Sequence, residues 1–243
     1  MKPNIVLCHG AFADETAWKR VAPLLQQAGA KVAVVTLPGH SDADTARAGA
    51  VTLADYVAAV NAKLDEAGPP ALLVGHSMGG VAITQTAEQY PDKIRALVYL
   101  SAYLPANGKA LQDYANDPES KLGPGLKIDA QHGVGTISAD TMRAAFFNNT
   151  SAADAEAGLA RLRPEPLQPF GTPVHTTAQK WGRVPRFYIT TLRDQAVGPA
   201  LQKSMYTAQP VQKVYTLDTD HSSYFSSTDQ LAKIILEVRD SLA

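Results

Sequence analysis

The chain has 243 residues, and its 22 Lys and Arg against 23 Asp and Glu give a formal net charge of -1. That length suits one large domain, or a core with an inserted subdomain, and can bury roughly 70–75% of the unfolded surface. The charges are interspersed, with no basic stripe or polybasic patch, which argues against nucleic acid and anionic membranes as partners.

The cysteine content and the start of the chain indicate a cytoplasmic protein. Cys8 is the single cysteine and cannot form an internal disulfide. The chain runs from Met1-Lys2-Pro3 directly into the strand-like Ile5-Val6-Leu7-Cys8, which is too short and too structured for a signal peptide. No apolar run approaches the ~20 residues that span a bilayer. We therefore expect a soluble cytoplasmic protein.

The first hundred residues alternate short apolar strands with amphipathic helices. Strands are predicted at 4–8, 32–35, 71–74 and 96–100. Helices are predicted from Asp14 to Gly29, from the capping box Thr52/Asp55 to Gly68, and from Ser77 to the residues before Pro91. This order predicts a mostly parallel sheet with helices on both faces and a ligand site at the carboxyl ends of the strands.

The alternation stops between about Tyr103 and Gly182, where proline, glycine and helix starts replace strands. Helices are predicted at 139–147 and 152–162, the second headed by a Ser151/Asp154 capping box. Strands at 186–191 and 211–217, with helices near 199–207 and at the end of the chain, then resume the pattern. We interpret residues 1–102 and 183–243 as the core and residues 103–182 as an inserted, mainly helical cap.

One short stretch carries the chemistry. Gly75-His76-Ser77-Met78-Gly79-Gly80 lies between a predicted strand and a predicted helix, and it has the Gly-x-Ser-x-Gly form that holds a serine on a tight, strained turn. Its glycines suit a turn that leaves no room for β-carbons. A serine hydroxyl is a poor nucleophile at neutral pH and needs a base, which a third group orients.

In proteins with this serine turn, the acid and then the histidine that assist the serine follow it in the chain, which narrows the choice of residues for these two roles. His221 follows a late strand, while His132 and His175 fall in the cap; the alternative for His221 is a solvated loop histidine. Asp194 lies just past the carboxyl end of the preceding strand, where its side chain can reach a histidine at the end of the next strand; the alternative is an ordinary turn aspartate. Asp220 is its rival, but its side chain should point away from the adjacent ring. Asp194 is therefore preferred as the acid.

Backbone amides should stabilise the negative charge that builds on the carbonyl oxygen during attack. Met78 follows the nucleophile and supplies one N–H, and the loop after the first strand should supply the other from Ala11 or Phe12. His9-Gly10 makes the tight turn that aims this loop. His76 and His40 are interpreted as structural, and Cys8 as a small core residue.

Together these motifs resemble an α/β-hydrolase, and within that superfamily the branch of plant methylesterases, salicylate-binding esterases, hydroxynitrile lyases and bacterial esterase relatives. The resemblance spans nearly the whole chain and is weakest in the cap. It implies a sheet of about six strands, a triad of Ser77, Asp194 and His221, and an oxyanion hole from Ala11 and Met78.

Departures from the pattern bear on the reaction. The lyases of this branch carry a threonine in the first loop and a lysine directly after the catalytic histidine, where this chain has Ala11 and Ser222. Without that lysine the leaving cyanide has no charge partner. Relatives that use an aspartate nucleophile are excluded by Ser77.

The sequence thus predicts a serine hydrolase, without metal or cofactor, that cleaves small, largely uncharged carboxylic esters. The predicted apolar pocket walls are Phe12, Tyr103, Leu104, Phe146 and Phe147. The alternatives are a hydroxynitrile lyase or C–C bond-cleaving enzyme, and a small-molecule receptor with slow turnover. Acyl and alcohol specificity stay open, as does the choice among esters, lactones and thioesters. A homodimer is a possible assembly.

Overall fold

The computed structural model describes residues 2–242. The strands are β1 (Ile5–Cys8), β2 (Val32–Val35), β3 (Ala71–His76), β4 (Ile94–Leu100), β5 (Leu126–Asp129), β6 (Val134–Ile137), β7 (Glu165–Pro166), β8 (Arg186–Thr191) and β9 (Lys213–Leu217). The α-helices are α1 (Val21–Gln27), α2 (Leu53–Ala67), α3 (Gly79–Gln89), α4 (Ala139–Phe146), α5 (Ala152–Leu159), α6 (Gln168–Gly171), α7 (Pro199–Ala208), α8 (Ser223–Ser226) and α9 (Thr228–Ser241). Short 3₁₀ helices cover Glu15–Trp18, Thr45–Ala50, Pro91–Lys93, Leu111–Tyr114, Gly123–Gly125 and Trp181–Arg183.

Six strands form one sheet in the order β2-β1-β3-β4-β8-β9, and every neighbouring pair is parallel. The predicted six-stranded α/β sheet is confirmed. The central strands β1 and β3 are buried along their whole length, as strands covered by helices on both faces must be. Their unbroken apolar runs reflect this burial.

The order in which the chain adds strands to the sheet reverses at β1, and this reversal determines where the site lies. The chain steps from β1 to β2 on one side and then returns past β1 to β3 and β4 on the other. Right-handed crossovers therefore put α1 on the opposite face from α2 and α3. The carboxyl ends of β1 and β3 meet at this switch point, where ligands bind in open α/β sheets. Cys8 pairs there with Gly75, directly before the two loops of interest.

The first predicted helix is split in the structure. The Asp14 carboxylate accepts a hydrogen bond from the Thr16 N–H at 3.0 Å and so caps a 3₁₀ turn over Glu15–Trp18 rather than one continuous helix. The same carboxylate also binds Arg161 and Arg163 of the cap. This tertiary ion cluster fixes the start of the segment in a way that local periodicity does not reveal.

The segment 103–182 contains α4, α5 and α6, but it also contains a three-stranded antiparallel sheet in the order β5-β6-β7. The sequence did not predict these strands. They are short, and β5 is largely exposed, whereas the two residues of β7 are buried and pair with a strand about thirty residues earlier. Within residues 2–242, no helix is both long and apolar enough to cross a membrane.

The predicted capping box of α2 is present and supplies a stability test. The Thr52 hydroxyl accepts from the Asp55 N–H, and the Asp55 carboxylate accepts from the Thr52 N–H at 2.8 Å. We expect Thr52→Ala to lower the free energy of unfolding by about 1 kcal/mol, because the Asp55 N–H loses the hydroxyl that caps it and keeps only its bond to the Thr52 carbonyl oxygen at 3.1 Å. Urea unfolding measures the loss, and Thr52→Ser, which keeps the hydroxyl, should restore most of it. Equal stability of the alanine variant and the wild type would contradict this role.

Candidate active site

Ser77 lies on a strained turn at the carboxyl end of β3. Its φ of 54° is in the left-handed region, which is rare for a residue with a β-carbon. A β-carbon on Gly80 would come within 2.0 Å of the Tyr103 carbonyl oxygen, and one on Gly10 within 2.6 Å of the Ser77 β-carbon. Gly80 of the motif and Gly10 of the first loop are therefore required by close packing between the serine turn, the β1 loop and the start of the cap.

Asp194 is a buried carboxylate with a complete set of donors. One oxygen accepts from the N–H groups of Ala196 and Val197, each at 2.8 Å. The other accepts from Thr191, from Gln202, and from Nδ1 of His221 at 2.8 Å. These five donors hold the carboxylate in one orientation. The structure therefore brings together the acid and the base that the sequence paired.

The hydrogen bond to Asp194 fixes the tautomer of His221. With its proton on Nδ1, the ring presents the Nε2 lone pair, and among residues 2–242 this buried nitrogen has no hydrogen-bond partner. The ring centroid lies 4.5 Å from that of His76, the residue directly before Ser77, and 4.6 Å from the Phe146 ring, edge to face. His221 is thus an oriented base packed beside the serine turn.

His76 supports His221 through the backbone. Its Nε2 donates to the His221 carbonyl oxygen at 3.0 Å, and burial holds the pKa of His76 well below its usual value. His76 is therefore neutral and structural, as the sequence suggested, although its contact with the catalytic candidate was not anticipated.

Asp220, the rival acid, has a different role. It accepts from the Ser222 N–H and the Ser226 hydroxyl with one oxygen, and from the Asn149 N–H and the Thr150 hydroxyl with the other. Asp220 therefore anchors the cap turn that follows α4 to the loop carrying the histidine. Sequence reasoning could not find this, because Asn149 and Asp220 are far apart in the chain.

The oxyanion-hole candidates are backbone amides on the two loops at the switch point. Neither the Ala11 nor the Met78 N–H donates to another atom within residues 2–242. The neighbouring alternative, the Phe12 N–H, is already bound to the buried Glu165 carboxylate at 2.9 Å. Of the two residues considered in the first loop, Ala11 is thus the one with an available donor.

His9 orients the Ala11 amide. Its Nδ1 donates to the Gly10 carbonyl oxygen at 2.9 Å, while its Nε2 accepts from the Leu37 N–H at 3.0 Å. In a trans peptide the carbonyl and the next N–H point in opposite directions. Fixing the Gly10 carbonyl therefore turns the Ala11 N–H away from His9. Burial and the charge of His40 lower the pKa of His9 to about 3, so the ring stays neutral.

A cavity of about 550 Å³ opens onto Ser77, Ala11 and Met78. Phe12, Tyr103 and Phe146 lie on its wall as predicted from the sequence. Cap residues that the sequence did not single out complete the wall: Leu111, Tyr114, Leu122, Leu126, Ile128, Leu167 and Phe170. Of the residues lining this cavity, Asp117 is the single charged one.

Two of the five predicted wall residues lie elsewhere. Leu104 is fully buried, and its N–H contacts the Met205 sulfur at 3.4 Å in the core. Phe147 packs on Phe225 and Gly158, away from the catalytic cavity. Adjacent residues at the end of α4 point in different directions, so Phe146 and its neighbour could not both face the cavity.

Residues 2–242 contain no group of three or more His, Cys, Asp or Glu side chains placed to hold a metal ion.

The sheet, the serine turn and the Asp194–His221 pair together define an α/β-hydrolase type of protein. A family model described as "Alpha/beta hydrolase family" matches residues 5–234. The chain belongs to this family.

Among curated proteins, the chain is 29% identical over 250 residues to a pyrethroid hydrolase of Sphingobium wenxiniae, covering 99% of this chain and 89% of that protein. It is 28% identical over 254 residues to putative methylesterase 13 of Arabidopsis thaliana, a chloroplastic protein, covering 97% of this chain. The chain spans only 56–63% of the length of three such methylesterases.

The structure is similar to solved relatives. A crystal structure of a pyrethroid hydrolase from Sphingobium faniae superimposes with a TM-score of 0.88 at 27% identity, over 98% of this chain and 97% of that one. Polyneuridine aldehyde esterase, at 23% identity and a TM-score of 0.85, shares the fold.

The buried neutral histidines predict an acid-sensitive fold. The unfolded chain takes up protons on His9 and His76 near pH 6.5, whereas their folded pKa values lie far lower, so stability falls as the pH drops below 6.5. Each ring adds a slope of about 1.4 kcal/mol per pH unit. His40 behaves in the opposite way. Burial lowers its pKa, but the Glu165 carboxylate outweighs this effect, so that the pKa of His40 is raised. Its contribution to stability is therefore complete below pH 6.5 and is lost only as the pH rises through the folded pKa.

Urea unfolding at pH 6 and pH 5 measures this dependence. In the wild type, the free energy of unfolding should be lower at pH 5 than at pH 6. We expect His9→Asn to make this difference between the two pH values smaller by about 1 kcal/mol, because one group that takes up a proton on unfolding is removed. An unchanged difference would contradict the neutral, buried state of His9.

Proposed function

We propose that the chain is a serine hydrolase that cleaves largely uncharged carboxylic esters through an acyl-enzyme on Ser77. The observation that carries the proposal is the buried Asp194–His221 hydrogen bond beside the strained serine turn. This arrangement leaves Nε2 of His221 as a base with no competing partner within residues 2–242. Similarity to proteins named methylesterase and pyrethroid hydrolase supports ester hydrolysis.

The chemistry follows from these groups. As the Ser77 hydroxyl oxygen bonds to the ester carbon, its proton passes to Nε2 of His221, and Asp194 stabilises the resulting imidazolium. The carbonyl electron pair becomes an oxyanion that the Ala11 and Met78 N–H groups stabilise. His221 then gives the proton to the departing alcohol. A water molecule repeats the sequence on the acyl-enzyme and releases the carboxylic acid.

The lyase alternative is disfavoured by the environment of Ser222. This residue is fully buried, and its hydroxyl donates to the Tyr224 hydroxyl at 3.1 Å. Within residues 2–242, no Lys or Arg lines the cavity that opens onto Ser77, so a cyanide ion there would have no cationic partner.

The cavity supports apolar esters of moderate size. Its volume falls within the 300–1,000 Å³ range of small-molecule sites, and its aromatic and aliphatic wall favours hydrophobic acyl or alcohol groups. The resemblance to pyrethroid hydrolase is consistent with a hydrophobic ester. Cytoplasmic location and assembly as a homodimer stay predictions.

The role of Ser77 can be tested with p-nitrophenyl acetate and p-nitrophenyl butyrate. We expect Ser77→Ala to lower kcat by about 10⁴-fold or more, because a triad without its nucleophile retains only binding and oxyanion stabilisation. A fluorophosphonate probe should label the wild type and not the variant. Activity within tenfold of the wild type would overturn the mechanism, and ligand binding without labelling of the wild type would favour a receptor.

Asp117 predicts discrimination against acidic substrates. Asp117 lines the cavity, and its carboxylate accepts a hydrogen bond from the Gly198 N–H at 2.7 Å. For the wild type, we expect kcat/KM to be about 10-fold or more higher for a neutral alkyl ester than for the matched ester that ends in a carboxylate. Asp117→Asn should reduce this ratio of kcat/KM values several-fold, because it removes charge repulsion in the apolar cavity.

Asp113→Asn is the matched control for this experiment. Asp113 also accepts a backbone N–H, that of Ala110 at 2.8 Å, but it is not on the cavity wall. Its substitution should leave the ratio unchanged. An equal change in both variants would contradict a specificity role for Asp117.

A further inference from the structure

Phe12, in the oxyanion loop, has an unusual backbone. Its φ of 59° is left-handed, although phenylalanine is a bulky residue that rarely adopts this conformation. Both of its backbone polar groups are bound by one cap segment. The Phe12 carbonyl oxygen accepts from the Arg163 N–H at 3.0 Å, and the Phe12 N–H donates to the Glu165 carboxylate at 2.9 Å. The cap therefore holds this strained residue from both sides.

Two successive peptide units on either side of Ala11 are fixed by different groups. His9 holds the Gly10 carbonyl oxygen, which orients the peptide that carries the Ala11 N–H. Glu165 holds the Phe12 N–H, which orients the following peptide. If that second peptide rotated, the Ala11 carbonyl would turn with it and the loop could place an oxygen where the oxyanion needs a donor. The core thus fixes one peptide, and the cap fixes the other.

Glu165 is well suited to hold a peptide still. It is fully buried, and Pro164 and Pro166 on either side restrict its backbone. The oxygen that binds Phe12 also accepts from Nε2 of His40 at 2.9 Å, and the other oxygen accepts from the Tyr56 hydroxyl at 3.0 Å. Both carboxylate oxygens of Glu165 are therefore held in place by residues of the core.

His40 supplies the charge that makes this burial tolerable. Its Nδ1 faces the Pro38 carbonyl oxygen at 3.1 Å and its Nε2 faces Glu165, and since both partners are acceptors, both nitrogens carry protons. A buried carboxylate needs such a partner. Because Glu165 does not line the cavity that opens onto Ser77, it cannot touch a substrate there.

We propose that Glu165 is a positioning residue for the oxyanion hole, whose carboxylate locks the Ala11–Phe12 peptide so that the Ala11 carbonyl oxygen stays turned away from the developing oxyanion and leaves the Ala11 N–H as the group that meets it. The cap strand β7, which contains Glu165, therefore has to pack against the core to complete a part of the active site that lies in the core. The inference rests on the proposed ester hydrolysis, and it extends that function to the cap.

The test compares Glu165→Ala and Glu165→Gln with the wild type on p-nitrophenyl acetate. We expect Glu165→Ala to lower kcat by about 100-fold, the usual effect of losing one oxyanion donor, while KM changes by less than threefold. Glu165→Gln should recover at least tenfold of this loss, because its amide oxygen can still accept the Phe12 N–H. If the alanine variant does not fold, the glutamine variant and the inhibitor measurement below still decide.

A second readout isolates the oxyanion. A phenylalkyl trifluoromethyl ketone forms a hemiketal oxyanion on Ser77, whereas the matching methyl ketone binds without one. In Glu165→Ala we expect the inhibition constant of the fluorinated ketone to rise about 100-fold and that of the methyl ketone to change less than threefold. In Glu165→Gln the rise should be about tenfold or less. A merely structural role would weaken both ketones in parallel.

Glu88→Ala is a matched control. Glu88 is also a buried carboxylate, and it joins α3 to the segment leaving the cap by accepting from Thr177 and from the Trp181 N–H, but it has no bond to the oxyanion loop. We expect it to lower the melting temperature about as much as Glu165→Ala does, while kcat stays within threefold of the wild type.

The outcomes separate the two proposals. If the wild type itself lacks esterase activity and is not labelled by fluorophosphonate, the proposed function fails. If the wild type is active but Glu165→Ala keeps kcat within threefold, or loses affinity for both ketones equally, the positioning role is overturned. A loss of kcat in Glu88→Ala equal to that in Glu165→Ala would also overturn it.

Discussion

Ser77 and Phe12 both adopt left-handed backbone conformations although each has a β-carbon, and they lie at the carboxyl ends of neighbouring parallel strands. The site depends on both being held there. Such conformations persist only where surrounding contacts determine them. Ser77 is held by the core and the first cap residues: its N–H donates to the Leu100 carbonyl, and its own carbonyl accepts from Tyr103. Phe12 is held by Arg163 and Glu165. The strained nucleophile turn and the strained oxyanion loop are therefore stabilised by different parts of the chain.

The cap contributes both shape and orientation. Its aliphatic and aromatic side chains supply most of the cavity wall, whereas its polar side chains reach past the cavity to the core. Glu165 binds the oxyanion loop, Arg161 and Arg163 bind Asp14 just beyond it, and the turn containing Asn149 is bound by Asp220 next to the histidine. These contacts connect the position of the cap to the geometry of the backbone that surrounds Ser77.

Buried polar groups in this site are nearly all paired, which is the condition under which they are tolerated away from water. Asp194 has five donors, and Glu165 has three partners. Exceptions within residues 2–242 include Nδ1 of His76 and Nε2 of His221, of which the second is the proposed base. A buried nitrogen without a partner costs stability, and for His221 that cost is accounted for if a proton must move to and from Nε2 during the reaction.

The sequence by itself determined the parallel sheet, the order of its helices and the pairing of Asp194 with His221. These follow from local periodicity, from capping residues such as Thr52, and from the rule that parallel strands bring their carboxyl ends together. Only the tertiary structure decided the cap. Leu104 and Phe147 are apolar like the residues that line the cavity, but neighbouring side chains point in different directions, and composition does not record direction. Glu165 lies between two prolines with no local sign of its partners, because Phe12, His40 and Tyr56 are more than a hundred residues away in the chain. Contacts at that separation depend on how the cap packs on the core, which no short window of sequence encodes.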